Sequence, residues 1–152
     1  LLICLLFVPS FARSGSVTVP LGGNAWVVTP GVPVAEVTPQ GLTSWRDTAT
    51  VCRIYLRFAR PGEFHLALAM APGSSGSRVR VECLGLSAET GPEASWKVAA
   101  SFRAARPGYV AVDVRGIART DTTFGVLAGL TVSGAAAATD TIGATATIAT
   151  DR

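Results

Sequence analysis

Histidine occurs once in the chain, at His65, lysine once, at Lys97, methionine once, at Met70, and cysteine at only three positions. Each scarcity closes off a class of chemistry. Zinc sites draw three or four ligands mostly from Cys and His, and this chain has too few to build one. There is no Asp-x-Asp-x-Asp calcium loop either. No cofactor is therefore expected, although a structural calcium held by scattered carbonyls and one carboxylate would leave no linear pattern. A Ser-His-Asp mechanism would have to use His65, and no Gly-x-Ser-x-Gly elbow accompanies it. The Lys and Arg residues number 13 against 10 acidic ones and are scattered along the chain. A nucleic-acid footprint needs clustered basic residues with exposed aromatics between them, so no nucleic-acid partner is expected.

Long apolar runs are also missing, with one exception at the start. Leu1 to Val8 is too short for a membrane span of about 20 residues. It has the character of a signal-peptide apolar region, and Pro9-Ser10-Phe11-Ala12 supplies a small-residue exit with cleavage after Ala12. The first residue is Leu and no basic segment precedes the run, so residues 1–12 are read as a truncated signal peptide. The rival reading, an apolar first strand, lacks the alternation a strand would show. A secreted protein, extracellular or periplasmic and not membrane-spanning, is expected.

Helical periodicity is nearly absent, and alternation with period two takes its place. In 51–59, Cys52, Ile54, Leu56 and Phe58 face one way and Arg53, Tyr55 and Arg57 the other. The same pattern recurs at 63–70, 78–84, 96–103 and 109–115, with shorter apolar stretches at 17–19, 26–28, 34–37, 124–127 and 130–133. Pro, Gly and Ser turns separate them. This predicts an all-β domain over 13–134, a two-sheet antiparallel β-sandwich of jelly-roll type with about eight strands. The tripeptide Arg-Pro-Gly occurs at 60–62 and again at 106–108, each time between two alternating strands, which marks two equivalent corners of the sandwich. Residues 135–152 are rich in Ala and Thr and read as a linker or fragment end; 141–150 could instead form an edge strand.

Cys52 and Cys83 outlast signal cleavage, and a secreted protein invites their pairing. If the segments at 51–59, 63–70 and 78–84 run up, down and up, the two lie roughly 20 Å apart, well beyond a disulfide's reach of about 7 Å. Both share parity with apolar neighbours, so burial is expected, and a crossover topology is the one route to pairing. Among the aromatics, Trp45 stands in the polar loop 41–47 beside Arg46 and Asp47, either as a stacking platform or as an anchor of the loop. Trp26 follows Gly22-Gly23-Asn24, where Asn24 either meets a ligand or takes a left-handed conformation. Tyr55 faces outward between Arg53 and Arg57, and Trp96 has core parity. Asp113, inside a strand, reads as half of a cross-strand ion pair.

The ordered strings Val19-Pro20-Leu21-Gly22-Gly23-Asn24-Ala25-Trp26, Gly41-Leu42-Thr43-Ser44-Trp45 and Arg53-Ile54-Tyr55-Leu56-Arg57 are followed by Pro61-Gly62, Pro107-Gly108-Tyr109-Val110 and Val132-Ser133-Gly134. Together, over 17–134, these resemble the bacterial domain of unknown function 5077. The resemblance implies a secreted accessory domain that commonly precedes another, the domain of unknown function 3472. A second likeness, carried by the strand, Pro-Gly turn and strand at 51–70 and by the late Tyr-Val-x-Val-Asp strand, is to galactose-binding-like carbohydrate-binding modules. Neither transfers defined ligand residues.

The expected function is a non-catalytic accessory module of a secreted bacterial protein that binds carbohydrate. Its contact set is Trp45, Trp26, Asn24, Asp47 and Tyr55, and its partners are a polysaccharide or glycan and a downstream domain of the same polypeptide. The alternative is a structural domain that packs on that neighbour and binds no glycan. Trp45 exposed beside Asn24 or Asp47 would speak for sugar, and Trp45 buried under its loop for scaffold. An enzyme is the third class; for glycosidase chemistry the acidic residues single out no carboxylate pair.

Overall fold

Alternating side chains sort the described residues, 15–29, 35–74 and 76–134 of a computed structural model, into strands that bury one face each. The leader at 1–12 and the segment from 135 onward lie outside the described residues, as does the edge strand expected at 141–150. In chain order the strands are β1 (Gly15–Pro20), β2 (Ala25–Val27), β3 (Glu36–Thr38), β4 (Gly41–Thr43), β5 (Cys52–Phe58) and β6 (Gly62–Met70), then β7 (Arg78–Cys83), β8 (Leu86–Thr90), β9 (Lys97–Ala104), β10 (Gly108–Ala118) and β11 (Leu127–Gly134). One sheet runs β3-β4-β11-β6-β9, with β1 sharing the edge of β11 that β4 also uses; the other runs β2-β5-β10-β7-β8. All pairings are antiparallel.

The strand order β4-β11-β6-β9 facing β5-β10-β7-β8 is that of a jelly roll, as the alternation and turns predict. Successive strands from β4 to β7 change sheet at every turn, and so do those from β9 to β11. The inner faces meet in one core, where Phe58 of the β10 sheet packs on Phe64 of the β11 sheet at 4.6 Å between ring centroids, and Phe64 on Phe102 at 5.5 Å. Such aromatic pairs add a specific geometric preference to the apolar area they bury.

Two strands escape the alternation rule. β8 is an edge strand whose first residues, Leu86 and Ser87, are exposed, so burial does not impose a pattern on it. β4 has only Gly41, Leu42 and Thr43, and Gly41 is fixed there by contact: a Cβ on it would stand 2.1 Å from the Leu127 carbonyl oxygen, at φ +120°. The two stretches expected at 124–127 and 130–133 are one strand, β11, preceded by a loop that holds Phe124 inside the core. Trp96 packs against the core as its parity implies, but only half-buried and from a turn at φ 60°, and β9 begins after it.

Cys52 and Cys83 are both buried and unpaired, but for a different reason from the strand ends. Cys52 stands opposite Val114 and Cys83 opposite Val112, on the two strands flanking β10. Two strand spacings and a two-residue offset put them roughly 12 Å apart, nearer than the three-segment picture implies yet beyond reach of a disulfide. Burial, assisted by the charge of Asp113, pushes each thiol up to about 12. Neither is a thiolate nucleophile near neutral pH.

Candidate functional site

The Trp45 loop is a plug. Trp45 is fully buried and its ring lies 5.0 Å from that of Phe124. Phe124 donates its backbone N–H to the Trp45 carbonyl at 2.8 Å, so the loops before β5 and before β11 are tied together. Room for the Phe124 ring exists because Gly116 on β10 has no side chain: a Cβ there would meet the ring at 2.4 Å. Arg119 closes the top, its guanidinium 5.8 Å from the Phe124 ring centroid and its Nε donating to the Arg46 carbonyl at 3.1 Å. Trp45 therefore offers no ring to a ligand, which corrects its place in the contact set. Asp47 is exposed, but its Oδ1 accepts from the Ala49 N–H at 2.7 Å and shapes a turn.

Asn24 is corrected on similar grounds. It is fully buried, its Nδ2 donating to the Pro20 carbonyl at 2.9 Å, its N–H to the Leu21 carbonyl at 2.8 Å, and its own carbonyl accepting from Tyr55 N–H at 3.0 Å. The left-handed residue of this crossing is Gly23, at φ 80°. Asn24 thus locks the passage from β1 to β2, and a fully buried side chain so engaged meets no ligand.

Trp26 and Tyr55 are brought together on the outward face of the β10 sheet, edge to face at 5.5 Å between centroids with an interplanar angle of 69°. Register explains what accompanies them. Trp26 stands opposite Arg53, Arg53 opposite Asp113, Asp113 opposite Glu82 and Glu82 opposite Ser87, so one row crosses every strand of the sheet. Arg53 grips Asp113 through two hydrogen bonds, Nε to Oδ1 at 2.7 Å and Nη2 to Oδ2 at 2.9 Å. That pairing holds the guanidinium further above its already high range, chiefly through the Asp113 hydrogen bond. It also offsets the like charge of Glu82 across from Asp113. The expected cross-strand ion pair of Asp113 is thus found, with Arg53 as its partner.

β7 ends level with Val112, so β10 continues past it and leaves open ground on its flank. A hollow of about 300 Å³ lies there against Glu82, Ser87, Ala111 and Asp113. Beyond it Tyr109, opposite Arg57, is 55% exposed. Sequence reasoning did not single out Tyr109, although its outward parity next to a Pro-Gly corner was visible.

His65 is exposed on β6 in a row with Ser133 and Ser101 that contains no carboxylate. Among the described residues, no three His, Cys, Asp or Glu side chains gather as metal ligands, and no helix is long and apolar enough to cross a membrane.

Residues 19–137 match the sequence family described as domain of unknown function (DUF5077). The chain belongs to that family. The match runs from the end of β1 through β11, so the DUF5077 fold here is the jelly roll just described. No curated protein matches the chain.

Proposed function

We propose that this DUF5077 domain is a non-catalytic accessory module of a secreted protein, and that it binds carbohydrate on the outward face of its β10 sheet. One observation carries the reading: Trp26, Tyr55 and Tyr109 share that face with Arg53, Asp113, Glu82 and Ser87, which sets apolar rings beside groups able to hydrogen-bond hydroxyls. Rings of this kind stack on the C–H faces of sugars while fixed polar groups select orientation. The Arg53–Asp113 pair is held before any ligand arrives, which lowers the ordering cost of binding.

Burial of Trp45 and Asn24 favours a second reading, a scaffold that packs on a neighbouring domain and binds no glycan. Against a flat docking patch, the exposed apolar residues Leu84 and Tyr109 stand in a hollow bordered by arginines. Retention of the purified chain on a panel of soluble and insoluble polysaccharides separates the readings. Selective retention that Trp26→Ala and Tyr55→Ala each lose, with folding verified by circular dichroism, supports the sugar site. Absence of retention on every polysaccharide leaves the scaffold.

A further inference from the structure

The two Arg-Pro-Gly corners, at 60–62 and 106–108 in the sequence, stand side by side. Phe58 at the end of β5 is opposite Gly108 at the start of β10, and Gly62 at the start of β6 is opposite Ala104 at the end of β9. The corner from β5 to β6 and the corner from β9 to β10 therefore cross between the sheets next to each other. Four arginines follow from that topology, Arg57 and Arg60 from one corner and Arg103 and Arg106 from the other, all of them exposed. One acidic residue, Glu63, joins them, opposite Arg103.

Between the β9–β10 corner and the tip of the β7–β8 hairpin lies a hollow of about 410 Å³ bounded by Leu84, Arg103, Arg106, Pro107 and Tyr109, with no carboxylate in its lining. Leu84 and Tyr109 are 50% and 55% exposed. Leu84 occupies the hairpin turn at φ 50°, a left-handed conformation that a branched apolar side chain adopts at a cost and that Asn or Gly would take with less strain. An apolar side chain kept exposed in a strained turn beside an exposed ring and two arginines is a local departure of the kind found at binding sites.

We infer that this end of the sandwich binds an acidic polysaccharide, a chain bearing uronate carboxylates or sulfate esters, with Arg103 and Arg106 paired to its anionic groups and Tyr109 and Leu84 against its rings. The inference rests on the carbohydrate-binding reading and names its substrate class. Arginine presents a planar fork that matches carboxylate and sulfate oxygens, which a neutral glycan would not require. Tyr109 faces the same side as Tyr55 and Trp26, so one saccharide chain could run from the row at Arg53 and Asp113 to the corners.

Affinity electrophoresis of the full chain tests this with polygalacturonate and chondroitin sulfate as acidic probes, and galactan and soluble starch as neutral ones, at low and high salt. Variants are Arg103→Ala, Arg106→Ala and Tyr109→Ala, with Arg46→Ala, exposed in the loop before β5 at the other end of the sandwich, as a control of equal charge and circular dichroism for folding. The expected result is binding to an acidic probe that weakens at least roughly tenfold for Arg103→Ala or Arg106→Ala, weakens with salt, and is unchanged in Arg46→Ala. Equal loss in Arg46→Ala reduces the effect to net charge and overturns the inference. Binding to a neutral probe alone overturns the inference and leaves the carbohydrate reading intact. Binding to neither class overturns both.

Discussion

The two ends of this sandwich carry opposite designs. At one end the polar loop 41–47, with its tryptophan beside Arg46 and Asp47, has the composition of a ligand loop, and the structure fills it. Trp45 lies on Phe124, Phe124 lies over Gly116, and Arg119 covers the assembly. At the other end two short corners have the composition of plain turns, and the structure leaves them open, with exposed arginines on both and a hollow beside Arg103, Arg106 and Tyr109 of the second. Loop composition reports polarity; whether a side chain is available depends on what the distant strands place above it.

Stability separates the two ends most sharply. Trp45→Ala is expected to cost about 3–5 kcal/mol, as large aromatic truncations in cores do, while Tyr109→Ala stays within about 0.5 kcal/mol. Urea denaturation measures both, and similar costs at the two positions would erase the contrast between plug and open site. Gly116→Ala comes next, at about 1–3 kcal/mol, because the new methyl enters the Phe124 ring. Shrinking that ring in Phe124→Leu should reduce the penalty of Gly116→Ala, and a penalty that does not change with the ring removes Gly116 from the plug.

At the open end the sign reverses. Leu84→Asn relieves a left-handed leucine without emptying the core, so it should raise stability by up to about 1 kcal/mol while weakening any ligand held at the hollow. A loss of stability there would make Leu84 a packing residue. The smallest effect concerns Glu89 on β8, whose carboxyl is held below its ordinary range by hydrogen bonds from Arg80, at 3.0 Å, and from Arg78. Its folded pKa lies below its unfolded one, so its contribution is complete above the unfolded value and fades as pH falls through the folded value. Acid titration of Glu89→Gln should show a slightly flatter loss of stability between those limits. Screening by solvent keeps this effect small.

The fold was largely legible because alternation is a local signal that burial enforces strand by strand. It predicted β5, β6, β7, β9 and β10 and failed for β8, whose edge position leaves its side chains unconstrained, and for the three-residue β4. The candidate site was legible only where parity sufficed. Outward parity placed Tyr55 correctly, and Trp26 follows from its register with Arg53. Trp45 and Asn24 depend on partners far along the chain, Phe124 in one case and the β1 crossing and Tyr55 in the other, and no spacing rule carries that information. The repeated Arg-Pro-Gly tripeptide was visible from the start. Its meaning waited on the strand order, which sets the copies at 60–62 and 106–108 against each other.

Backbone amide chemical shifts, followed while an acidic oligogalacturonide is titrated into the labelled chain, compare the two ends in one experiment. Perturbations are expected at Leu84, Arg103, Arg106 and Tyr109, with the loops at 44–50 and 119–126 unmoved. Perturbations concentrated in the Trp45 and Phe124 loops, with the Arg-Pro-Gly corners silent, would contradict that expectation.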